Sequence, residues 1–178
     1  MRKTFALALA ATTALSTGAF AEEIEEFRIG LLGGENAQDR IASYQCLADY
    51  ASEALGVPVK IFTPAEYNGV KQGLLGGSLD MSWLGASSYA ATYLQDPEAV
   101  EPVLVKVNMD GSIGDHSIGF ARKDSGITSI DDMEGKVFGF GDTNSTSGYL
   151  IPSIEIPQYK EGITMESGEY FGEVKFTG

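Results

Sequence analysis

Short runs of β-branched and aromatic residues alternate with helix-patterned stretches along most of this chain. Strands and helices in strict alternation, joined by short Gly-bearing turns, lead to an α/β sheet of parallel strands. The first run, Phe27-Arg28-Ile29-Gly30-Leu31-Leu32, stops at Gly33-Gly34. Ile41, Tyr44, Leu47, Ala48, Ala51 and Leu55 then recur at helical spacing, which predicts a helix over 37–55, and Gly56 stands where a helix ends. Residues 57–62 read as the second strand and close one strand–helix–strand unit. A helix over 67–75, the turn Gly76-Gly77-Ser78, a strand over 79–84 and a helix over 87–94 repeat the pattern.

Beyond residue 100 the alternation breaks. Residues 103–107 and 117–122 read as strands flanking the turn-rich Asp110-Gly111-Ser112-Ile113-Gly114, an antiparallel-looking excursion. After the polar connection Lys123-Asp124-Ser125-Gly126-Ile127 come a short capped helix over 129–133, a strand over 136–140, a helix from about Gly148 and a last strand over 173–176. The expected organisation is a first α/β lobe over 22–123 and a partial second α/β lobe over 124–178. So few elements would leave a sheet face and edges uncovered, so the second lobe is expected to be incomplete.

The first 21 residues are expected to stand apart from the fold. A basic start at Arg2-Lys3, an apolar Ala/Leu/Thr run and the small-residue exit Ala19-Phe20-Ala21 form the pattern of a secretory signal peptide. The run is shorter than the roughly 20 apolar residues a membrane helix needs, and no later stretch reaches that length. No cysteine lies at the expected cut, so the mature chain, beginning near Glu22, is expected free in its compartment and not embedded in a membrane. The whole sequence's formal net charge of -13 argues against nucleic acid and anionic membrane surfaces as partners, because both reward basic patches. A small anion is a different matter, since backbone N–H groups and hydroxyls at a helix N-terminus can hold one without net positive charge. The single cysteine, Cys46, reads as an inert, half-buried thiol on the first helix.

The chemistry concentrates in Gly141-Asp142-Thr143-Asn144-Ser145-Thr146-Ser147-Gly148, between a predicted strand and a predicted helix. That is the end of an α/β sheet where ligands bind. Ser145, Thr146 and Ser147 offer hydroxyl donors, and the unpaired N–H groups of the following helical turn, up to Gly148, point the same way with a favourable dipole. Such a set suits a tetrahedral oxyanion. Clusters of this composition also serve as plain loops and helix caps, and Asn144-Ser145-Thr146 matches a glycosylation acceptor. No Lys follows in the manner of a nucleotide-binding Gly-rich loop, and no Gly-x-Ser-x-Gly elbow is present. With one histidine, one cysteine and no metal-like cluster, the chain is expected to carry no catalytic group, metal or cofactor. Two further ligand contacts are expected: Tyr67, at the start of a helix after a strand, and His116, beside Asp115 in the excursion.

Gly-Asp-x-Asn-Ser-Thr-Ser-Gly-Tyr-Leu-Ile-Pro over 141–152, with Tyr67-Asn68-Gly69-Val70-Lys71-Gln72-Gly73 upstream, resembles the phosphonate/phosphite-binding proteins of ABC importers. Gly33-Gly34-Glu35-Asn36, Trp83-Leu84-Gly85-Ala86 and Asp110-Gly111-Ser112 occur in the order the resemblance requires. It implies a two-lobed periplasmic-binding-protein fold of type II that closes on its ligand about a hinge near Arg122–Ser125. It also implies a small phosphonate-like oxyanion as ligand and a membrane permease as partner. Tyr67 would act from the first lobe, and Ser145, Thr146 and Ser147 from the second. Where such proteins carry Gly-Tyr-x-Ser, this chain has Gly114-Asp115-His116-Ser117, and they continue past the equivalent of Gly178 into further pocket residues. Another small solute, such as a sulfonate or a pyrimidine precursor, and the ligand-binding domain of a sensor are the competing readings.

Overall fold

The computed structural model describes residues 24–34 and 36–177. The expected signal peptide therefore lies outside the described residues. Two parallel sheets form. The first has the order β2-β1-β3, built from β1 (Phe27–Gly30), β2 (Val59–Phe62) and β3 (Met81–Ser82), with Ile29 level with both Ile61 and Met81. The second pairs β4 (Val137–Phe140) with β5 (Glu173–Phe176). Helices α1 (Ala37–Leu55), α2 (Tyr67–Leu75) and α3 (Ala86–Gln95) follow the strands of the first sheet in turn, and α4 (Ile151–Tyr159) follows β4.

The alternation is enforced by local chemistry. Asn36 caps α1 by accepting from the N–H groups of Gln38 and Asp39, and Gly56 ends it at φ 73°, a left-handed turn that costs a side-chain-bearing residue steric strain. The edge of the first sheet is pinned by Arg28, whose guanidinium donates twice to the Asp80 carboxylate at 2.8 Å and once to the Gly77 carbonyl. Asp80 accepts from the Arg28 N–H as well, and this hydrogen-bonded pairing draws its carboxyl below the ordinary value. Ile29, Leu31, Ala48, Val70 and Leu79 form the buried apolar face of this sheet and its helices. Around the second sheet, Phe171 is fully buried and Phe138 stacks on it at 4.8 Å, with Ile163, Tyr170, Met133 and Ile156 closing the cluster.

Two expectations fail and a third is sharpened. Residues 103–107 and 117–122 form no strand, and Val103, Leu104, Val105, Ile118 and Phe120 are 63–92 % exposed. A strand exists only by pairing. Their apolar character marks a surface suited to burial, but no described strand runs beside them to complete a ladder. Cys46 is exposed, not half-buried: at about 100° per residue it lies some 200° around the helix from both Tyr44 and Ala48, which face the core. The helix expected from about Gly148 is present and opens two residues earlier, as a wider turn. A wide turn over Thr146–Leu150 precedes α4 and runs into it without a break, with Leu150 N–H donating to the Ser145 carbonyl and Ile151 N–H to that of Thr146. Pro152 explains the start, because it has no N–H to give the Gly148 carbonyl four residues back.

One carboxylate organises the approach to β4. Asp132, in the turn Asp131–Met133, accepts from the N–H and hydroxyl of both Thr128 and Ser129 through Oδ2 at 2.9 Å. These bonds lower its pKa from 3.8 to about 2. A carboxyl depressed in the folded state adds stability above its unfolded pKa and gives it up as pH falls. Asp132→Asn should therefore lower the thermal midpoint above about pH 4, and the gap to wild type should close between about pH 4 and 2. Melting curves of both proteins across that range check this.

Candidate functional site

Three chain starts meet around one loop: the N-termini of α2 and α3 and the wide turn beginning at Thr146. The loop is folded first by its own residues. Asp142 accepts from the Asn144 N–H at 2.7 Å through Oδ1, and the Asn144 side-chain amide donates to the same oxygen. Ser145 N–H donates to the Asp142 carbonyl, and Ser145 Oγ accepts from Gly148 N–H at 3.0 Å, the side-chain cap of the turn. The mouth is closed by Gly141 N–H donating to the Gly148 carbonyl at 2.9 Å, the acceptor that Pro152 leaves open. A Cβ on Gly148 would stand 2.9 Å from Ser145 Oγ and 3.3 Å from Gly141 Cα, so the two strands of the loop can approach only at glycine.

The folded loop is then bolted to the first sheet. Asp142 Oδ2 accepts from Tyr67 N–H, capping α2, and Thr146 Oγ1 accepts from Ser87 N–H at the start of α3. Ser88, fully buried, donates its hydroxyl to the Asn144 carbonyl, and Lys71 Nζ donates to Asn144 Oδ1 at 2.7 Å. Burial pushes the Asp142 carboxyl up, but the Asn144 and Tyr67 N–H bonds, the Asn144 amide and the Lys71 charge together hold it below its ordinary value. It is an anion at the pH of any ordinary medium.

Donors remain for a ligand. A hydroxyl that accepts keeps its proton to give, so Ser145 and Thr146 can each still donate. The Ser147 hydroxyl has no protein partner among the described residues, and its carbonyl accepts from Ser117 Oγ at 2.7 Å. The N–H groups of Thr146 and Ser147, the first of the turn, likewise meet no protein acceptor among the described residues. Hydroxyl protons and unclaimed amides on one loop at a helix start are the kinds of donor an oxyanion needs.

The expected site residues are thus sorted unevenly. Ser145, Thr146, Ser147 and Gly148 share the loop, and Tyr67 meets it, though through its backbone; its phenol makes no hydrogen bond among the described residues. His116 is exposed and is not brought onto the loop, while its neighbour Ser117 is. Asp115 lines a separate cleft of about 690 Å³ with Tyr44, Trp83, Gly85 and Tyr89, and this cleft does not include the loop hydroxyls. The two features touch where a Cβ on Gly85 would lie 3.0 Å from Thr146 Oγ1. Sequence reasoning singled out neither Lys71 nor Asp142 nor Ser88. The first two leave traces: Lys71 follows Tyr67 by four residues on one helix face, and Asp-x-Asn is the spacing of a side chain bonding its backbone two residues on. Among the described residues no group of three or more His, Cys, Asp or Glu could hold a metal, and no helix is long and apolar enough to cross a membrane.

Parallel α/β units clasping a hydroxyl- and amide-lined loop define a two-lobed solute-binding fold of type II. The chain belongs to the family of ABC transporter, phosphonate, periplasmic substrate-binding proteins, whose pattern matches residues 29–178. It is 30% identical over 145 residues to the phosphonates-binding periplasmic protein of Escherichia coli, covering 79% of this chain and 42% of that one. It is 28% identical over 146 residues to the phosphate-import protein PhnD of Mycolicibacterium smegmatis, covering 82% and 45%. A crystal structure of a binding protein component of an ABC phosphonate transporter from Pseudomonas aeruginosa superposes with a TM-score of 0.72 at 25% identity, over 86% of this chain and 50% of that one. A methylphosphonate complex of PhnD1 from Prochlorococcus marinus shares the fold with a TM-score of 0.65 at 21% identity, over 86% and 56%. The chain thus spans less than half the length of the curated relatives it matches.

The loop geometry itself is testable. Ser145→Ala removes the cap on Gly148 N–H and should cost about 0.5–2 kcal/mol of stability. Gly148→Ala should cost at least as much, because its Cβ has no room. Chemical denaturation of both variants measures this, and a Gly148→Ala protein as stable as wild type would contradict the close approach.

Proposed function

We propose that this protein is the ligand-receiving component of an ABC importer for phosphonate, phosphite or a related oxyanion, passing its ligand to a membrane permease. The observation that carries this reading is the set of unclaimed donors on one loop: the Ser147 hydroxyl, the N–H groups of Thr146 and Ser147, and the spare protons of Ser145 and Thr146. Membership of the phosphonate substrate-binding family supports the ligand class, as do the names of the phosphonate- and phosphate-handling relatives. In this reading Gly148 lets the loop close, Tyr67 offers its ring and phenol from the first lobe, and His116 meets the outer end of the ligand beside Asp115. The lobes divide near residue 124, and the first 21 residues direct export to the periplasm and are removed. No step of covalent chemistry is assigned; the protein binds and releases.

Titration calorimetry of the full chain against methylphosphonate, 2-aminoethylphosphonate, phosphite, phosphate and sulfate tests the proposal. At least one phosphorus oxyanion should bind, and binding of none of them would reject it. Ser147→Ala should weaken that binding by about 1–3 kcal/mol, since its hydroxyl would lose only a ligand bond. Unchanged affinity would mean the hydroxyl faces away from the ligand.

A further inference from the structure

The contacts between the loop and the first sheet hold more than the loop's own fold requires. Tyr67 and Lys71 lie one turn apart on α2, and both reach the loop, one through its N–H to Asp142 and the other through Nζ to Asn144. Asn144 joins the two by donating from its side-chain amide to Asp142 Oδ1. The circuit runs from α2 through Lys71, Asn144 and Asp142 back to α2, spanning 73–75 residues of sequence at its two crossings. Lys71 and Asp142 are each 8 % exposed, and Ser88, which supports the Asn144 carbonyl from α3, is fully buried. A lysine is rarely buried without a partner charge, and Asp142 supplies it.

We propose that Lys71 and Asp142 are positioning residues that hold the two α/β units closed on each other around the loop, and that they set ligand affinity without touching the ligand. The inference rests on the binding role proposed above. Both Asp142 oxygens are already occupied by N–H donors, and Lys71, 8 % exposed, spends one of its three N–H donors on Asn144 from the side of α2. Neither residue belongs to the donor set of the cradle. When the units part, Asn144 leaves the Lys71 ammonium and the Asp142 carboxylate leaves the α2 N-terminus in the same step, so closure is cooperative. A ligand binding between the units then needs to supply less of the closing free energy itself, because part of it is built into the protein.

Lys71→Met and Asp142→Asn test this with two readouts on the full chain. In the unliganded protein, hydrogen exchange at the Tyr67 and Ser87 amides should be at least tenfold faster in both variants, while the Ile29 and Phe140 amides stay protected. Affinity for methylphosphonate should fall about tenfold or more. For inorganic phosphate the fall in Lys71→Met should be the same at about pH 5.5 and pH 8, either side of its second ionisation. A fall that grows with the charge of the ligand would mean that Lys71 contacts it and would overturn the proposal, as would wild-type exchange at both amides. If Lys71→Met does not fold, Ser88→Ala removes a single hydroxyl from the same clasp and carries the same expectation at the Ser87 amide. Should wild type bind no phosphorus oxyanion, the binding role falls, while the exchange measurement still decides whether the clasp exists.

Discussion

The Asp142 carboxylate is the constraint on which the site depends. One oxygen turns the loop by accepting from Asn144, and the other caps α2 by accepting from Tyr67 N–H. A single side chain therefore links a local turn to a helix 75 residues away in sequence. Without it, Asn144 would lose the arrangement that lets it accept from Lys71, and Ser145 would begin the wide turn from a different place. Placing an anion beside the loop proposed to hold an oxyanion looks contrary to purpose. Its charge is met by Lys71 and its lone pairs by three N–H donors, so little of it is left to repel a ligand.

The cradle is consistent with the strongly acidic chain for the same reason. A net charge of -13 acts over long distances and is screened within about 10 Å at ordinary salt, whereas amides and hydroxyls act at contact. The wide turn contributes as well. By entering α4 through Thr146–Leu150, the chain keeps the first N–H groups uncommitted, and Pro152 frees the Gly148 carbonyl to seal the loop mouth. A proline inside a helix start thus shapes a site several residues before it.

Much of the architecture was legible along the chain. Helix α1 runs over the predicted 37–55 because Asn36 and Gly56 mark its ends chemically, and β5 falls on the predicted 173–176. The strands predicted over 103–107 and 117–122 were not formed, because periodicity reports which residues favour burial and cannot report whether a partner strand stands alongside. Cys46 went wrong for a smaller reason: two residues along a helix reverse the facing, and the amphipathic stripe was drawn too wide.

For the site the division is similar. By itself the sequence determined that hydroxyls and amides would gather at one helix start after a strand, since Ser145-Thr146-Ser147-Gly148 specifies its own cap and turn through contacts no more than a few residues apart. Only the tertiary structure decided what grips that loop. Lys71, Ser88 and the α2 N-terminus reach it across 56–75 residues, and such contacts depend on how two units dock, which no local spacing encodes.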